Sequence, residues 1–141
     1  QSGPTLLNDE IVRLVPREFS SNNPVRISSS VDQRYLGREL PTLRGYFPNH
    51  LSFDASCYYL LALLTQEMDA YALVSVELLD FGCTALAYEN AGGFCGDIQS
   101  GKVNVSDLIV PCERGLELRG FILLAPNKKY HAEMLQYIHS K

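Results

Sequence analysis

Long hydrophobic runs are missing from this chain. Its most apolar stretches, "YYLLALL" from Tyr58 and "FILLA" from Phe121, are strand-length, far short of the roughly 18 to 20 residues of a membrane span. No membrane anchor is expected, and no positively charged start leads into an apolar signal segment. Also missing are G-x-S-x-G, H-E-x-x-H, a P-loop and G-x-G-x-x-G, so no hydrolase elbow, zinc-protease helix or nucleotide cradle announces itself. Cysteine occurs four times, as Cys57, Cys83, Cys95 and Cys112, without a C-x-x-C pair. That excludes a ready-made zinc site and leaves reduced thiols inside strands as the first reading, with a disulfide pair as the other. No metal and no cofactor is expected. Positive charge is scarce: 12 Lys and Arg face 16 Asp and Glu, a net charge of −4, which weakens attraction to phosphate backbones and suits a cationic partner.

What is present describes one globular domain. At 141 residues, 46% apolar and 20% charged, the chain is long enough to bury about two thirds of its unfolded surface around one core. Residues 1 to 30 are rich in Ser, Asn and Pro, and within them "DEIVRLVPREF" reads as a short helix or strand ended by Pro16. Residues 31 to 52 are expected to wrap the core. From Phe53 the pattern changes: "CYYLLALLTQ" reads as a short strand, and "ALVSVELLDF" alternates with the period of two that marks another. The two are expected to pair as a meander. Asp80, Phe81, Gly82 and Cys83 then read as the tip of a hairpin, and "TALAY" (Thr84 to Tyr88) as its second strand. The glycine-rich "ENAGGFCGDIQSGK" reads as a surface loop, and "GLELRGFILLA" from Gly115 as a further strand. Asn127 can cap a terminal helix that places Tyr130, Met134, Tyr137 and Ile138 on one face.

This order of elements resembles the extended Tudor domains of germline small-RNA proteins. Those typically read "F-x-D-G-x-W-Y-R-A-x-V" and then "F-I-D-Y-G-N", beside "FDASCYYLLAL" from Phe53 and "LLDFGC" from Leu78 here. Their "L-P-x-x-A-x-x-C-x-L-x-G" is similar to "VPCERGLELRGF" from Val110. The resemblance covers residues 46 to 139. It implies a mainly β fold with a terminal helix, namely a Tudor-like bent five-stranded barrel with a partial staphylococcal-nuclease or OB-like extension. In that division residues 1–45 form a flanking segment, 46–92 the Tudor core and 93–141 a C-terminal extension.

The resemblance also implies a ligand site. Rings that hold a methylated guanidinium work by cation–π attraction and stacking, and Phe53, Tyr59, Leu78 and Phe81 fall on the four ring positions. Cys83 falls where an asparagine bonds the guanidinium, while Asp80 and Gly82 build the turn. Leu78 and Cys83 spoil two of the five positions, a loss of about 2 to 5 kcal/mol. The implied function is therefore methylation-independent scaffolding in a small-RNA (piRNA pathway) silencing assembly. Its partner would be a protein or peptide, such as the arginine-rich tail of a PIWI-type protein, in a cytoplasmic or perinuclear RNP granule.

Two other readings stand beside it. A nucleic-acid-binding OB-like barrel would need a basic groove, and only residues 13 to 44 gather positive charge; nucleic acid is not the expected partner. Scaffolding through residues 1–45 or the terminal helix would leave the barrel merely structural. Enzymatic activity is not expected. Cys57 with His50, or His131 and His139 as bases, supply the residue types for thiol chemistry without any motif that fixes their geometry.

Overall fold

A computed structural model describes residues 4–28, 44–51, 56–97, 104–113 and 115–141, with the backbone alone at 56–57 and 74–83. A hairpin of β1 (Leu6–Leu7) and β2 (Glu10–Ile11) comes first. Its turn residues Asn8 and Asp9 both have positive φ, the left-handed pair that joins two strands most directly and that Asn and Asp tolerate. After β3 (Val25–Ile27) and a 3₁₀ turn (Arg44–Tyr46) come helix α1 (Ser56–Leu64), strand β4 (Ala70–Glu77) and helix α2 (Leu78–Asn90). β5 (Phe94–Asp97), a single turn α3 (Val105–Leu108), β6 (Ile109–Cys112), β7 (Gly115–Ala125) and α4 (Lys128–His139) complete the described elements.

The main sheet runs β3-β4-β7-β5, with β6 also on β7. β3 lies parallel to β4, and the other pairings are antiparallel. Its residues alternate between two cores. On one face Leu73, Leu118, Ile122 and Leu124 meet Tyr59 and Leu63 of α1 and Ala85 and Tyr88 of α2. On the other, Ala72, Phe121 and Leu123 meet Tyr130, Met134 and Ile138 of α4. Both faces of the sheet are covered, so its central strands are apolar throughout, as the run from Phe121 to Ala125 is. Asn127 caps α4 by accepting the Tyr130 N–H at 2.9 Å.

The strand from Gly115, the alternating strand that includes residues 72–77 and the capped terminal helix are all present. The fold as a whole is a mixed α/β layered domain and not a closed barrel, which corrects the Tudor-like expectation. "SCYYLLALL" is helix α1 and not a strand: a short run apolar on every side carries no period with which to choose. Leu78 to Asn90 is one helix, so Asp80 and Gly82 occupy helical positions and not a hairpin turn. Thr84, Ala85, Tyr88 and Ala91 are all buried, the i, i+1, i+4, i+7 spacing of a helix face. Gly92, at φ 97°, ends it: its N–H meets the Glu89 carbonyl and the Gly93 N–H the Tyr88 carbonyl, each at 2.9 Å, the paired bonds of a Schellman stop. "FCGD" is a strand inside the stretch expected to be loop. Among the described residues no helix is long and apolar enough to cross a membrane.

Gly120 is where β7 admits no side chain. Its φ is 127°, and a Cβ there would lie 2.8 Å from Cγ of the buried Asp97 carboxylate, whose Oδ1 accepts the Phe121 N–H at 2.9 Å. Gly120→Ala is expected to lower unfolding free energy by about 2 kcal/mol or more in urea denaturation. A change within about 0.5 kcal/mol would contradict this packing.

Candidate functional site

β4 passes into α2 without a loop, so α2 begins at the C-terminal end of a central strand. The chain must then fold back along the sheet, and the Tyr88 hydroxyl reaches the Asp69 carbonyl at 3.5 Å, beside the start of β4. α1 ends at the same place, where the Met68 N–H meets the Ala62 carbonyl at 3.0 Å. α2 therefore runs back along β4, with its N-terminal end at the strand's far end, while Tyr59 in the first half of α1 packs on Tyr71, the second residue of β4. Helix N-termini carry partial positive charge and unsatisfied N–H groups that favour anions. Asp80, third in α2, stands by position in its first turn.

Elsewhere several described polar groups hold the fold. Asp69, whose side chain is fully buried, takes bonds from Arg17 Nη1 and Asn23 Nδ2, both at 2.5 Å. Arg26 donates to the Leu51 carbonyl at 3.0 Å and lies 5.0 Å from the Tyr59 ring centroid. Burial first, then Glu89, pushes the Cys95 thiol up to about 12, an inert state for a nucleophile. Burial lowers His131 to about 4, opposed by its bond to the Gly96 backbone, and its Nε2 has no partner. His50 Nε2 is bonded to the Ile27 backbone at 3.1 Å.

The residues expected to form a peptide-binding cage are placed as follows. Tyr59 is 5% exposed in α1, packed on Tyr71 with ring centroids 5.0 Å apart. Its ring faces a cation, but that cation is the chain's own Arg26. Leu78, Phe81 and Cys83 lie on α2, with no described side chain. Phe53 is outside the described residues. Helix α2 had one available sign in the sequence, the spacing of Thr84, Ala85, Tyr88 and Ala91.

No family model and no curated protein matches the chain. Solved structures do. Inositol monophosphatase II from Staphylococcus aureus superposes with a TM-score of 0.62 at 12% identity, over 91% of this chain and 44% of that one. An inositol monophosphatase from Zymomonas mobilis gives 0.63 at 17% over 96% and 49%, and one from Anabaena 0.61 at 10% over 94% and 51%. Structures of the staphylococcal enzyme contain inositol monophosphate or 2′-AMP. The likeness is one of fold, and the chain spans about half the length of these neighbours. It overturns the Tudor resemblance and, with it, the methylarginine cage, the small-RNA scaffold and both alternative readings. It also overturns the expectation of a non-enzyme, since the fold shared is that of phosphatases.

His131 gives a pH signature. Its folded pKa lies below the usual 6.5, so between pH 6.5 and about 4 the unfolded chain binds the extra proton. Stability is expected to be full above pH 6.5 and to fall by about 3 kcal/mol as pH drops toward 4. Urea denaturation of the wild type and His131→Gln across that range checks it. Parallel pH profiles for the two proteins would refute it.

Proposed function

We propose that this chain forms one half of a phosphatase-type fold and takes part in hydrolysing a phosphate monoester of a polyol or ribose. The observation that carries this reading is the superposition on inositol monophosphatases over more than nine tenths of the chain. Two of those structures' ligands, inositol monophosphate and 2′-AMP, are monoesters of that kind. The start of α2 supports it, because the free N–H groups of a helix N-terminus suit an anion such as a phosphate.

In the proposed reaction water attacks phosphorus, the ester P–O bond breaks, and the leaving alkoxide takes a proton. The first-turn amides of α2 hold the phosphate oxygens, and the positive end of the helix opposes the charge gathering there. Asp80 is the acidic residue within that first turn, able to hold a proton or a cation beside the ester. Phosphatases of many folds recruit metal ions to neutralise charge and activate water. Among the described residues no group of three or more His, Cys, Asp or Glu could hold one, so these residues do not by themselves form such a centre. The remaining groups come from the part of the fold that this chain does not span.

Titrating inositol monophosphate into isotope-labelled protein tests the reading. Amide resonances of Leu78 to Phe81 are expected to shift, with little response to inositol itself. Shifts confined to other regions, or equal shifts with inositol, would overturn it. In the phosphate-releasing protein, Asp80→Asn is expected to lower the rate by about a hundredfold or more.

A further inference from the structure

Side chains from every layer of the fold meet where β4 begins. Arg17 and Asn23 arrive from the N-terminal segment and hold the carboxylate of Asp69, the residue before β4. Tyr88 comes from α2, on one face of the sheet, and its hydroxyl reaches the Asp69 carbonyl only at 3.5 Å. Tyr130 comes from α4, on the other face, where it shares a core with Val25 and Ala70. Its ring packs edge-on against Phe19, centroids 5.3 Å apart. Its N–H bonds Asn127 Oδ1, and Asn127 Nδ2 donates to the Arg17 carbonyl, each at 2.9 Å. Burial first, then Asp69, raises the Tyr130 hydroxyl above the usual tyrosine range, with Arg17 opposing.

The charges of this cluster are paired, but two of its neutral atoms are not. Oδ1 of Asn23 and the hydroxyl oxygen of Tyr130 are both closed to solvent and have no hydrogen-bond partner among the described residues. Neither is relieved by a local turn of its side chain. Asn23 Nδ2 already donates to Asp69, and turning the amide over would set its oxygen against the carboxylate. Tyr130 is 0% exposed, so rotation of its hydroxyl proton finds no bulk water. Buried polar groups left alone are costly, and folded proteins satisfy nearly all of them.

We propose that one internal water molecule is bound in this cluster, donating to Asn23 Oδ1 and sharing a hydrogen bond with the Tyr130 hydroxyl. The choice of ligand follows from the two atoms. An amide oxygen only accepts, a phenol donates or accepts, and water serves both at once. A metal cation fits less well, because Arg17 already balances Asp69 and would repel a second positive charge. An anion would meet the Asp69 carboxylate. The water ties α4 to the N-terminal segment, and through Asn23 to Asp69 and the start of β4. The site is independent of what the chain hydrolyses.

Tyr130→Phe tests it, because phenylalanine keeps the ring packed on Phe19 and removes the hydroxyl alone. The sign of the effect decides. If the hydroxyl bonds a water, its loss is expected to raise the unfolding equilibrium constant about fivefold in urea denaturation. A dry, unpaired hydroxyl would instead make the variant as stable as the wild type or more so, and that result would overturn the proposal. Oxygen-17 relaxation dispersion of the solvent counts long-lived internal waters in both proteins. The amplitude is expected to fall on substitution by the contribution of one molecule, and equal amplitudes would overturn the proposal as well. Wild-type stability is expected to be the same in sodium, potassium and choline chloride at equal ionic strength. A dependence on which cation is present would replace the water with a metal ion.

Discussion

Everything in this fold hangs on one strand. β7 pairs with β4 along one edge and with both β5 and β6 along the other, and from Phe121 to Ala125 it is buried on both faces. A strand in that position can have neither a polar side chain nor a slip in register, because a shift of one residue would exchange its two cores. Two local devices hold the register. In β4 the pairing jumps between Val74 and Val76, and in β7 Gly120 adopts a conformation that leaves room for the Asp97 carboxylate. Asp97 in turn bonds the next backbone amide of β7, so a buried charge is balanced by a hydrogen bond where an extended ladder would otherwise be interrupted.

The second constraint is Asp69. Its carboxylate sits at the start of β4, buried, with Arg17 and Asn23 as its partners, and the Asp69 N–H meets the Pro24 carbonyl at 2.8 Å. The Arg17 carbonyl accepts from Asn127, the cap of α4. One ion pair thereby ties the N-terminal segment to the sheet and to the helix on its far side. Loss of one member of such a pair strands the other charge, at a cost of about 3 to 5 kcal/mol. The cluster is far from symmetric in exposure: Arg17 is 39% exposed and Asp69 wholly enclosed. The arginine reaches inward to the acid, and the acid cannot turn outward for water.

These constraints explain which elements could be read from the sequence. β7 was legible to the residue because alternation at Leu116 and Leu118 passes into an unbroken apolar run, a combination few other elements make. α4 was legible because Asn127 marks its start and Tyr130, Met134 and Ile138 repeat every four residues. α1 was not, since "SCYYLLALL" is apolar on every side and too short for its length to decide. α2 was hidden by Gly82, which reads as a turn but costs a helix only about 1 kcal/mol relative to Ala. Tertiary packing of Ala85 and Tyr88 against β7 offsets that readily. The start of α2 was hidden with it, because a helix end is made of backbone and leaves no side-chain motif to find.

The topology also fixes where α2 begins. β4 passes into it without a loop, so its first turn lies at the far end of a central strand, and Ala85 and Tyr88, in one core with Tyr59 and Leu63 of α1, hold it on the sheet. The start of a helix carries about half a positive charge. Asp80 stands in that same first turn and more than offsets it, so the backbone alone does not reverse the sign of a chain whose net charge is −4. An anion at that end would therefore need a proton on Asp80 or a cation beside it, whereas apolar burial on the sheet, at roughly 25 cal/mol per Å², holds the helix there in either case.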